Sequence, residues 1–122
     1  MTTHAITLIA STTVTGAGSD SSEWFNLSRY EEGIVYIDLT ALSGTGDPSL
    51  TIDVESSPDD DEDTRQTFEA YDDSGGLATY IISSVNQVSA KFSNFGKWMR
   101  ITYTLAGTSP EATFRVLFVG KV

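Results

Sequence analysis

The residues in this sequence with the richest ligand chemistry are the carboxylates of Pro58-Asp59-Asp60-Asp61-Glu62-Asp63. Asp59, Asp61 and Asp63 have the alternate spacing that opens a calcium loop, where side-chain oxygens converge on a hard cation. The sixth position, however, is Thr64 where such a loop turns on Gly, and the twelfth is Ala70 where a bidentate Glu completes the coordination sphere. No flanking helices accompany the run. Adjacent carboxylates repel one another, so the segment reads best as a solvated hairpin loop. Asp59, Asp61 and Asp63 stay candidates for a divalent-cation site of another kind.

Other catalytic chemistries find few groups to work with. The single histidine, His4, lies near the start, where chains are usually mobile, and there is no cysteine. A Ser-His-Asp triad, a histidine or thiolate metal centre and a cysteine nucleophile therefore all lack a positioned group. Paired carboxylates hydrolyse glycosides, and Asp38, Asp53, Glu55, Glu69 and Asp72 are available, but outward strand positions are where solvated acids belong anyway. No Gly-rich phosphate cradle opens a helix. The expectation is a protein that is not an enzyme and needs no cofactor.

Binding chemistry has more material. Trp24, Trp98, Tyr30, Tyr36, Tyr71 and Tyr80 could supply an aromatic platform for sugars. Trp98 falls on the outward register of its segment, opposite Met99 and Ile101. Large aromatics also anchor cores and interfaces, which leaves three readings for Trp98: a partner interface, internal packing or a ligand platform.

The elements that must position these groups are strands. Val35, Ile37 and Leu39 alternate with Tyr36, Asp38 and Thr40, and Leu50, Ile52 and Val54 alternate with Thr51, Asp53 and Glu55. Met99, Ile101, Tyr103 and Leu105 share one face near the end, as do Ala112, Phe114, Val116 and Phe118. The opposite face of that last segment turns apolar at Leu117 and Val119, a pattern that implies cover by a partner or another segment. Ala5–Val14, Trp24–Leu27, Arg65–Tyr71, Thr79–Ser83 and Ser89–Phe92 are further strand candidates. The pattern predicts an all-β, single-domain antiparallel β-sandwich or jelly roll over residues 1–122, with eight or nine short strands. Residues 1–14 could form an extended N-terminal strand or arm.

Two connections echo one another. Leu42-Ser43-Gly44-Thr45-Gly46-Asp47-Pro48 separates the strand candidates 34–41 and 50–56. Leu105-Ala106-Gly107-Thr108-Ser109-Pro110 separates 98–105 and 112–119. Gly for positive φ and Pro where no ladder N–H is needed predict two hairpins.

The net charge of −10 is uneven: residues 53–73 carry −9, while residues 91–122 carry +4. So acidic a chain is ill suited to neutralising nucleic-acid phosphates or docking on anionic membranes, so neither is expected as a partner. Met1–Ile6 lacks a signal-peptide pattern, and no apolar run approaches the roughly 20 residues that span a bilayer. Synthesis in a host cytoplasm is the expectation.

Three stretches carry a resemblance. Leu42–Thr45 with Pro48–Asp59, then Phe95–Pro110 with Phe114 following, and Gly33–Thr40 resemble the strand and turn segments of small virion proteins from tailed phages and prophages. Together they cover most of residues 30–121. The acidic run Asp59–Asp63 departs from that family, whose members tend to have Gly, Asp, Thr and aromatics there. The resemblance implies a small β-sandwich structural protein of the virion, plausibly a capsid decoration (cement) protein on the capsid surface. Its partner would be the major capsid protein, and the chain would itself associate, as a trimer for instance. Trp98, Leu117, Val119, Ile6 and Leu8 are the expected interface residues. The alternatives are a carbohydrate- or receptor-binding sandwich of a tail or fibre, and a head–tail joining or minor tail component.

Overall fold

The structure is a computed structural model that describes residues 3–58, 67–93 and 95–122. The period-two alternation becomes an all-β, antiparallel architecture, and no helix occurs among the described residues. The eight strands are β1 (Thr3–Thr15), β2 (Gly18–Ser21), β3 (Phe25–Asn26), β4 (Glu32–Ser57), β5 (Phe68–Glu69), β6 (Thr79–Ile82), β7 (Asn86–Phe92) and β8 (Trp98–Lys121). Strands β4 and β8 are not short: they have 26 and 24 residues. They pair antiparallel along their whole length, from Glu32 opposite Lys121 to Ser57 opposite Trp98.

The two predicted hairpins do not form. At Gly44–Pro48 and Gly107–Pro110 neither chain reverses; the paired strands bend together, with register shifts at Ser43, Thr45 and Ser49. The residue types that suggested hairpins serve the bend for the same conformational reason. Gly44 and Gly107 take φ of 129° and 125°, and Asp47 and Ser109, each just before a proline, sit at 56° and 50°. The two bends also pack on each other. A Cβ on Gly44 would lie 2.9 Å from the Pro110 Cα, and one on Gly107 would lie 3.0 Å from the Pro48 Cα.

Each bend also switches which side chains point inward. In β4 the buried set changes from Val35, Ile37 and Leu39 to Leu50, Ile52 and Val54. In β8 it changes from Met99, Ile101 and Leu105 to Ala112, Phe114, Val116 and Phe118. Strands that turn a corner this way pass from one layer of a sandwich to the other. One layer has β7, the first arm of β4, the second arm of β8 and β1 in that order. The other has β6 and β5, the second arm of β4, the first arm of β8, then β2 and β3.

Both inner faces contribute to one hydrophobic core. An edge-to-face ring pair links the layers, Tyr103 with Phe114 at 5.1 Å between centroids, and Phe95, in the connection before β8, packs edge-on against Phe118 at 5.7 Å. Burying one such phenyl group stabilises the fold by about 1.5–3 kcal/mol. Leu8 belongs to this core with only 4 % of its surface exposed, and Ile6 packs against it. The edge strand β1 turns the Leu8 side chain inward, so that Leu8 has almost no exposed surface in the single chain.

Candidate functional site

The sheet register decides which of the expected residues meet. Asp59, Asp61 and Asp63 lie outside the described residues. Among the described residues no group of three or more His, Asp or Glu side chains is gathered where it could hold a metal ion. His4 stands beside Arg29 and Tyr30 at the end of β1, with Arg29 3.5 Å from its Nε2 and the rings 6.0 Å apart.

Of the five carboxylates weighed for glycoside chemistry, Glu55 and Glu69 stand directly opposite each other across β4 and β5. Glu55 is already engaged by the Arg100 guanidinium at 3.1 Å and by the Thr102 hydroxyl. Arg100 in turn lies over the Trp24 ring at 4.6 Å. Asp53 accepts a hydrogen bond from Thr79 at 2.7 Å. Asp72 accepts bonds from the Tyr80 hydroxyl at 2.8 Å and the Ser74 amide at 3.0 Å. Those two donors, with the Ser74 hydroxyl first in weight, hold the Asp72 carboxyl below its usual range. Tyr80 is pushed up by burial and by the same carboxylate.

The basic C-terminal quarter meets acids of the first half across the paired strands. Lys121 and Lys91 flank Glu32 at 3.3 and 3.4 Å and lower its pKa, Lys121 foremost. Arg115 pairs with Asp38 at 3.2 Å. The outer face of the second layer is a lattice of hydroxyls, Ser19 to Thr104 at 2.8 Å and Ser21 to Thr102 at 2.9 Å. Those cross-strand pairs explain how β2, with no apolar residue, holds its place.

Trp98 is half-buried, in register with Ser57 and Asn26. Leu117 and Val119 are half-buried on the outer face of the first layer. There Val119 stands between Ala5 and Ile34, and Leu117 between Thr7 and Tyr36. The neighbouring row is Arg115, Asp38 and Gln87. The row of Leu117 and Tyr36 and the row of Arg115, Asp38 and Gln87 line a depression of about 390 Å³, with Ser89 also on its walls. Tyr36 and Asp38 were visible in the sequence as outward positions of one strand; their grouping with Arg115 and Gln87 was not.

One further surface is set by the backbone. Among the described residues β1 pairs only with β8, which leaves its other edge open along 13 residues. That strand contains no Asp, Glu, Lys or Arg.

No protein-family model matches this chain, and no curated protein matches it in sequence. Its fold is shared with solved structures. It is similar to the SPBc2 prophage-derived protein YomS, with a TM-score of 0.53 and 13 % identity over 98 % of this chain and 94 % of that one. It is also similar to a chain of the Bacillus endospore appendages, described as disulfide-linked pili. There the TM-score is 0.50, with 16 % identity over 98 % of this chain and 88 % of that one. At these identities the likeness is one of fold. The present sequence has no cysteine with which to form such a link.

Proposed function

We propose that this chain is a non-enzymatic structural protein of a phage or prophage particle, a decoration protein that docks on the assembled head and stabilises it. The observation that carries the reading is the open edge of β1. Proteins keep exposed strand edges single by making them short, charged or bulged. Here β3, β5 and β6 are short, β2 carries Asp20 and β7 carries Lys91. β1 is long and uncharged. Its bulges lie between Thr7 and Thr12, so Thr3–Thr7 and Thr12–Thr15 remain regular.

Such an edge suits strand addition to a neighbouring subunit, because main-chain hydrogen bonds supply the contact without requiring charge. On a protein of net charge −10 it is also a face on which two copies approach without placing like charges in contact. The apolar strip of Ala5, Val119 and Ile34 beside it adds surface to bury. A protein that binds only the assembled shell raises the shell's resistance to disruption by mass action, and many weak copies add up. The fold shared with a prophage-derived protein and an appendage protein agrees with a role in assembly. The major capsid protein is the proposed partner, and trimers at symmetry axes are the proposed arrangement.

Co-sedimentation with purified shells tests this. Wild type is expected to pellet with shells and raise their melting temperature. Thr7→Lys places a charge on the open edge at an exposed position and is expected to abolish pelleting while leaving the fold within about 0.5 kcal/mol of wild type. No binding by wild type, with shell stability unchanged, sinks the proposal.

A further inference from the structure

We infer that the depression on the outer face of the first layer is a binding site for a neutral saccharide. It is built from two adjacent cross-strand rows. In one, Ser89, Tyr36 and Leu117 lie side by side across β7, β4 and β8; in the other, Gln87, Asp38 and Arg115 do so. From the first row Leu117 and Tyr36 offer an apolar floor, and Tyr36 is 41 % exposed. The second offers planar polar groups already oriented by one another. Arg115 donates through Nε to Asp38 at 3.2 Å, and Gln87 donates to the other Asp38 oxygen at 3.3 Å.

This pairing of surfaces matches the two sides of a pyranose. A sugar ring has a C–H face that stacks on an aromatic plane and a rim of hydroxyls, each both donor and acceptor. Asp38 retains acceptor capacity beyond its two bonds, and Arg115 has four more N–H groups on its terminal nitrogens. Neighbouring hydroxyls suit such fork-shaped partners, which take two hydrogen bonds at once.

The charge balance selects a neutral ligand. Asp38 neutralises Arg115, and the protein around them carries −10, so phosphorylated, sulfated or carboxylated ligands are disfavoured. A purely aromatic ligand would leave the polar row without a use. The volume, about 390 Å³, lies at the small end of ligand pockets and fits one or two sugar rings.

The test is an amide-shift NMR titration of the full chain with glucose, galactose, mannose, N-acetylglucosamine, lactose and cellobiose at millimolar concentrations. No shells are present, so the outcome is independent of shell docking. At least one sugar is expected to give saturable shifts confined to residues 36–38, 87–89 and 115–117. Tyr36→Phe is expected to keep them, because stacking survives. Tyr36→Ala is expected to weaken binding at least about tenfold, as the loss of a stacking and hydrogen-bonding partner of this kind does. Gln87→Ala, at an exposed edge position, gives the same reading should Tyr36→Ala disturb the sheet. No saturable shift from any of the six sugars overturns the inference. So do shifts centred elsewhere, or shifts that both alanine variants leave intact.

Discussion

Asp72 and Tyr80 form a hydrogen-bonded pair that ties stability to pH. The Tyr80 hydroxyl donates to a carboxylate that also takes the Ser74 amide and hydroxyl, fastening the turn before β6. The folded pKa of Asp72 is depressed, so its contribution is present above the unfolded carboxylate range and is lost as pH falls through the folded value. Tyr80 is raised, so its contribution is complete below the unfolded tyrosine value, about 10, and fades as pH climbs toward the folded one. Stability is therefore expected to decline below about pH 4 and above about pH 10. Tyr80→Phe should flatten the alkaline decline and soften the acid one, as read by denaturant melts across that range. Limbs unchanged in the variant would show that the pair carries no linked stability. Sequence alone could place Asp72 in an acidic segment but not distinguish it from a solvated acid, because its partners are fixed by a turn and a neighbouring strand. The same holds for Glu55 and Asp38, whose arginine partners come from β8.

At the scale of the element, the informative case is the corner where β4 and β8 bend together. The inward faces of both strands were legible as period-two alternation, because each arm has one buried and one outer side. Continuity through the corner was not. Gly-Thr-Pro segments permit positive φ whether a chain reverses or only bends, and the choice rests with the opposite segment, which is distant in sequence. The corner makes a specific demand on Gly107: φ of 125° and a Pro48 Cα only 3.0 Å from where a Cβ would sit. Gly107→Ala is expected to cost about 1–3 kcal/mol in backbone strain, lowering Tm by roughly 4–12 °C. Gly76→Ala, at a loop position without positive φ and with its nearest neighbouring atom at 3.9 Å, should leave Tm nearly unchanged. Equal effects from the two substitutions would mean the corner is not packed as described. The same reasoning explains why the Tyr36 site was only half visible. Two of its residues share a strand, and the others arrive by register across β7 and β8.

For the whole molecule, the consequence of two strands running through both layers is shared fate. The central pair of each layer is made by the same two strands, and both layers press on one core. Phe114 sits at that junction, fully buried in the second arm of β8 and edge-on to Tyr103 in the first. Phe114→Ala removes a ring that the surrounding strands cannot fully collapse around, and is expected to cost about 3–5 kcal/mol. The distribution of that loss is the discriminating part. If β4 and β8 bind the layers into one cooperative unit, amide hydrogen exchange should accelerate by the same factor at Ile37 and Val116 in one layer and at Ile52 and Ile101 in the other. A loss confined to the layer holding Phe114 would instead mean that the corner is a hinge between separately stable sheets.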